Sequence, residues 1–261
     1  MRLAAALVLC GVSVSGARAV DLKPETVRAF ERYIGETEKN LDRRLAAAGG
    51  FLWVDEEPQR LAQVRQGQVA IENRSAEGTI AVPAGLIHDW IGAVFIPRVT
   101  LGQTLALIQD YDHNQDNYKP EVLASRLVSR HGNDFKVHLR LMKTKVVTVI
   151  LDTDYDVRYF PLGGGRWRSR AYSTRIAEVK DAGKPDERTL PPGQDDGFLW
   201  RLYSYWRFQE RDGGVYVECE AISLTRAIPV GLGWLIAPII TTLPRESLAN
   251  TLRETRVALQ K

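Results

Sequence analysis

The densest set of oxygen ligands in the chain lies in DYDHNQDNYKPE, residues 110–121. Asp110, Asp112, Asn114 and Glu121 stand at positions one, three, five and twelve, the spacing with which a calcium loop surrounds a hard cation. Two residues break the match. Gln115 stands where the loop needs a glycine for its sharp turn, and Pro120 comes just before the glutamate that would bind in bidentate fashion. These four residues are a weak metal candidate only, and a polar loop after a helix is the expectation.

Other chemistry is sparser still. His88, His113, His131 and His138 are scattered, with no ligand spacing such as two on one helical turn. The chain has no G-x-S-x-G nucleophile turn, phosphate loop or C-x-x-C pair. Gly163, Gly164 and Gly165 join two strand-like runs, so they lack the helix N-terminus that receives a phosphate and read as a hairpin or cavity rim. No catalytic residue and no cofactor is expected from these patterns.

The elements that must position any site are more legible. Val27, Phe30, Ile34, Leu41 and Leu45 recur at helical spacing, with Thr37 filling the gap, and predict an amphipathic helix over residues 22–48. Pro24 suits its first turn, and Gly49 and Gly50 end it. Such a single-faced helix is expected to dock on its own protein, with binding of a partner as the alternative. GQVAIENR and GTIAVP read as strands, and TLGQTLALIQDYD as a helix with Leu101, Leu105 and Ile108 on one face.

From Leu123 the chain is nearly all strand-like, in runs broken by turn signals such as His131-Gly132-Asn133-Asp134 and Asp212-Gly213-Gly214. An antiparallel meander of about six strands is predicted. KDAGKPDERTLPPGQDD, rich in proline, glycine and charge, is an exposed connection. Period-two alternation puts Val215, Val217, Cys219 and Ala221 on one face and Tyr216, Glu218 and Glu220 on the other. Likewise Leu202, Ser204, Trp206 and Phe208 oppose Arg201, Tyr203, Tyr205 and Arg207. The charged faces are expected to form cross-strand ion pairs in solvent.

Residues 227–244, AIPVGLGWLIAPIITTLP, carry no charge and are about as long as a membrane span requires. Pro229, Pro238, Gly231 and Gly233 argue against a spanning helix, so this stretch must hide inside the fold or around a ligand. It leads into LPRESLANTLRETRVALQ, a helix with Leu248, Leu252, Thr255 and Leu259 on one face, Thr242 as cap and Pro244 in the first turn.

The 261 residues carry a formal charge of +3. Residues 1–19 have one basic residue, an apolar core and an Ala17-Arg18-Ala19 cleavage pattern, which predicts a signal peptide removed after Ala19 and export to the periplasm or the exterior. Lipidation at Cys10 is disfavoured by the bulky Leu9 before it. Losing Arg2 and Arg18 brings the mature chain closer to neutrality, so a nucleic-acid partner is not expected. Cys219 then remains alone, without an intramolecular disulfide, and the fold must hold by core burial.

Two stretches carry a resemblance. LIQDYDHNQDNYKPEVLASRLV, through Asp110, Tyr111, Tyr118, Pro120, Val122 and Ser125, resembles a segment of START-like and polyketide-cyclase or lipid-transport proteins, the Bet v 1-like SRPBCC superfamily. IPVGLGWLIAPIITTLPRESLANTLRETRVAL resembles the end of START domains, where a proline-interrupted apolar segment with a tryptophan, here Trp234, enters the last helix. The resemblance spans residues 65–261. It implies an α+β helix-grip fold: a curved antiparallel β-sheet wrapped around a long C-terminal helix, here with an extra N-terminal helix in a segment covering residues 20–64.

The resemblance also implies a cavity for one lipid or other hydrophobic molecule, used for transport or sensing. The residues expected around it are Leu202, Ser204, Trp206, Val217, Cys219 and Ala221 from the final strands, Trp234, Ile236, Ile239 and Ile240 from the oily run, and Leu248, Leu252 and Thr255 from the last helix. Ser204, Cys219 and Thr255 are the candidate polar anchors. Transient membrane contact would accompany transfer. The alternatives are a cyclase or dehydratase acting on a hydrophobic substrate, and an interaction module that uses the N-terminal helix.

Overall fold

The computed structural model describes residues 20–46, 50–75, 77–144, 148–227 and 233–261, with no side-chain description for residues 20, 46 and 233–241. In chain order the elements begin with β1 (Val20–Asp21), α1 (Pro24–Ala46), a 3-10 turn (Trp53–Glu56), α2 (Pro58–Arg65), β2 (Ala70–Asn73), β3 (Ile80–Val82) and β4 (Gly85–Pro97). Then come α3 (Leu101–Ile108), a second 3-10 turn (Tyr111–His113), α4 (Asn114–Asn117), β5 (Val122–His131), β6 (Asp134–Thr144), β7 (Thr148–Gly163) and β8 (Arg166–Lys180). The chain closes with β9 (Arg188–Thr189), β10 (Gln194–Asp195), β11 (Arg201–Arg211), β12 (Gly214–Arg226) and α5 (Gly233–Leu259).

One large antiparallel sheet runs β2-β4-β12-β11-β8-β7-β6-β5, with β3 beside β4 and β9 beside β8. The expected six-strand meander is the succession β5, β6, β7, β8, β11 and β12, each paired with the next. β4 returns to pair with β12 along its whole length, from Gly85 opposite Arg226 to Pro97 opposite Gly214. Bulges in β5 and near Tyr155 of β7 bend the sheet. The sheet curves around α5, so the α+β helix-grip fold is observed.

α5 lies against the inner face of β4 and β12, and Gly92 lets it approach. A Cβ placed on Gly92 would stand 2.8 Å from Leu252 Cδ1 and 3.2 Å from the Ala70 carbonyl oxygen. The helix begins earlier than the capping pattern predicts. It starts at Gly233, so Thr242 does not cap it and both Pro238 and Pro244 lie within it. Each proline removes one backbone donor from a helix of 27 residues, and α5 continues through both. No helix among the described residues is long and apolar enough to cross a membrane.

α1 covers the outer face. Phe30, Ile34 and Leu41 pack on Ile87, Trp200, Tyr205, Ile222 and Leu224, and each buried side chain of this size contributes roughly 1.5–3 kcal/mol. Its polar flank is tied down as well. Asp42 accepts from Arg168 at 2.9 Å and from Arg170 at 3.1 Å, and Glu38 accepts from Tyr205 at 2.9 Å.

This layer overturns one expectation. Glu218, Glu220 and Arg207 are buried rather than solvated, because α1 and the Trp53–Glu56 turn lie over their strand faces. Arg207 donates to Glu218, whose other oxygen accepts the Trp53 amide at 2.6 Å. Burial pushes the Glu218 carboxyl up, against the opposing pull of Arg207 and Arg44. Alternation fixes which residues share a face, but the docking of a distant segment decides whether that face is wet.

Candidate functional site

Between the inner sheet face and α5 lies a cavity of about 430 Å³. Its wall is mainly apolar: Leu139 and Leu141 of β6, Leu151 and Val157 of β7, Ala171 of β8, and Leu243 and Leu248 of α5 all line it. These side chains share the inner face because the strands alternate and the sheet bends toward the helix.

Of the expected cavity residues, Leu202, Ser204, Trp206, Cys219, Ala221 and Leu248 line this space. Val217 and Leu252 are buried in the apolar core next to it. Thr255 is fully buried, and its hydroxyl donates to the Thr251 carbonyl at 2.8 Å and lies 3.1 Å from the Tyr118 hydroxyl. The side chains of Trp234, Ile236, Ile239 and Ile240 lie outside the described residues.

Two of the candidate anchors that reach the space are chemically quiet. Ser204 accepts from the Trp206 indole at 3.3 Å. Burial pushes the Cys219 thiol well above its ordinary value, so it stays protonated and packs as a small apolar group.

The calcium-like residues do not converge. Asp110 lies 2.8 Å from the His113 ring, and Asp112 accepts the Leu127 amide at 2.8 Å. Glu121 is bound by Lys143 and accepts from Asn250 at 2.9 Å, while Asn114 lies in the cavity wall. Among the described residues, no group of three or more His, Cys, Asp or Glu side chains is placed to hold a metal ion.

Sequence reasoning missed two polar features of the cavity. One is aromatic: the Tyr111 and Tyr159 hydroxyls are 2.7 Å apart, and Phe135 meets both rings edge-on, with centroids at 5.5 and 5.4 Å. Burial raises both phenols, so they remain neutral hydroxyls. The alternation Tyr155, Val157, Tyr159 in β7 was the available signal, since it puts three large side chains on the same face as the strand turns inward.

The second feature is the partly exposed rim formed by Lys143, Glu121, Ser247 and Asn250. Lys143 binds Glu121 and donates to Ser247 at 2.9 Å. Burial alone would raise the Glu121 carboxyl, but the Lys143 charge and its hydrogen bond bring it below its ordinary value. This pair is legible only through the β5–β6 register, in which Val122 stands opposite Leu141.

A curved antiparallel sheet gripping a long C-terminal helix is the helix-grip fold, here with an apolar space between sheet and helix. Solved structures similar to this chain include the STAR-related lipid transfer protein of Xanthomonas axonopodis, which is 19% identical with a TM-score of 0.48 over 74% of this chain and 99% of that one. Human STARD10 is 10% identical, with a TM-score of 0.43 over 77% of this chain and 80% of its own. The Zhui aromatase/cyclase from a Streptomyces strain is also 10% identical, with a TM-score of 0.44 over 67% of this chain and 94% of its own. No family model and no curated protein matches the chain.

Proposed function

We propose that the protein holds one hydrophobic small molecule or lipid in the cavity between sheet and α5, without transforming it, for transport or sensing. The observation that carries this reading is the cavity itself. Its volume of about 430 Å³ lies within the range of small-molecule sites, about 300–1,000 Å³, and its wall is apolar with a few placed polar groups. Binding would come chiefly from apolar burial, about 25 cal/mol per Å² before ordering costs are subtracted. A neutral thiol and neutral phenols inside, with Lys143 and Glu121 bound to each other at the rim, suit retention better than proton transfer.

The reading includes export, with residues 1–19 removed as a signal peptide and the mature chain working in the periplasm or outside the cell. The test is native mass spectrometry of protein from its own host, followed by solvent extraction and identification of the released molecule. A stoichiometric apolar adduct is the expected result. A protein that leaves the host empty and takes up no lipid on incubation would overturn the reading.

A further inference from the structure

Two buried polar atoms in the cavity wall have no hydrogen-bond partner among the described residues: the Tyr155 hydroxyl and the Asn114 side-chain oxygen. Both residues are more than nine-tenths buried, at 7% and 8% exposure. Thr153, two residues away on the same face of β7, donates its own proton to the Leu139 carbonyl at 2.9 Å, so toward Tyr155 its oxygen could only accept, and the two hydroxyls do not meet in hydrogen-bonding geometry. Leaving such groups dry and unpaired costs free energy, so native proteins rarely tolerate it without an occupant or a purpose.

The two atoms belong to the same end of the cavity. Tyr155 stands opposite Val137, and Val137 opposite Leu127, in one row across β7, β6 and β5. Asn114 is held over that row, because Asp112 accepts the Leu127 amide at 2.8 Å and the Gln115 amide donates to Ser125 at 3.2 Å. Lys143 lies six residues further along β6, about 20 Å away at the rise of a strand. The cavity therefore has the ion pair at one end and, at the other, two unpaired neutral groups near the Tyr111 and Tyr159 hydroxyls, which pair with each other.

We propose that the Tyr155–Asn114 end receives a hydroxyl group, so that the ligand is a long apolar alcohol inserted hydroxyl first. This rests on the function proposed above and names its ligand class. A hydroxyl both donates and accepts, so it matches a phenol and an amide whichever end the amide presents. A hydrocarbon would leave both groups unpaired. A carboxylate would bring a charge to an end where Tyr155 and Asn114 are neutral, far from the Lys143 ammonium, which already binds Glu121.

The test uses the full mature chain, stripped of lipid, and three tritiated probes that share a fourteen-carbon chain: 1-tetradecanol, its methyl ether and tetradecane. Probe retained on the protein after gel filtration gives the affinities. The alcohol is expected to bind about tenfold more tightly than the alkane, the ether falling between because it can only accept. Tyr155→Phe is expected to cut the alcohol's advantage to about twofold, to leave the alkane unchanged and to melt no lower than the parent, since it removes an unpaired hydroxyl. Equal binding of alcohol and alkane by the parent chain would overturn the inference while leaving lipid binding intact, and would mean that water satisfies the two groups. An equal effect of Tyr155→Phe on all three probes would also overturn it. Retention of none of the probes would count against the proposed function itself.

Discussion

Gly92 and Leu252 meet where β4 passes beneath α5, so closely that a single added carbon on Gly92 would lie 2.8 Å from the leucine methyl. The absence of a side chain at that one sheet position sets how deeply the helix nests, and with it the depth of the cavity. Gly92→Val is expected to destabilise the protein by about 1–3 kcal/mol through overpacking. Leu252→Ala in the same chain should recover part of that loss, a coupling that urea denaturation of the four-member cycle measures directly.

Ala221 lines the cavity and is only half buried. Ala221→Trp should fill the space and abolish lipid uptake while the circular dichroism spectrum and melting cooperativity stay those of the parent. Unfolding of this variant would instead mean that the space is too tightly bounded to admit a bulky group.

Asp89, on the outer face of β4, is pushed up to about 7 by burial and then by the nearby Glu220 charge. Tyr33 donates to it at 2.7 Å. Because this carboxyl binds its proton more tightly folded than unfolded, its penalty is absent at pH 3, grows from about pH 4 and is complete above pH 7. Asp89→Asn keeps an acceptor for Tyr33 and should stabilise the protein at pH 8 but not at pH 4. Urea midpoints at the two pH values decide this, and an equal shift at both would reject it.

Arg207 and Glu218 form a buried pair, 5% and 0% exposed at their side chains. Removing one partner leaves an uncompensated charge, so Arg207→Met should cost about 3–5 kcal/mol, whereas Arg207→Met with Glu218→Leu should lose much less. Equal losses in single and double variants, read by chemical denaturation, would show that packing rather than charge matters there.

If residues 1–19 are removed on export, protein recovered from its own host begins at Val20. Intact mass spectrometry of that material reads the N-terminus, and a full-length mass would exclude cleavage.

The meander, the amphipathic N-terminal helix and the closing helix were all legible from periodicity, because strands and helices write their faces into spacing. Phe30, Ile34 and Leu41 gave α1, and Leu248 and Leu252 gave the inner face of α5. What escaped depends on segments far apart in sequence. Nothing near Glu218 foretells that Trp53 will offer it an amide, and nothing near Lys143 names Glu121. Prolines misled at the start of α5, since local propensity argues for a break at Pro238 that the helix as a whole does not make.

The layer that seals the outer face also sets how the chain can be cut. A shortened protein beginning near Arg65 would keep the strands of the large sheet from β2 onward, yet it would strip β10 of its partner β1, put Ile222 and Leu224 in water and leave Glu218 without the Trp53 amide. Such a fragment would carry a sticky, charged wound along its central strands and would aggregate or pair with its own copies. α1 and the Trp53–Glu56 turn thus shield, from the outer side, the strands whose inner faces line the cavity.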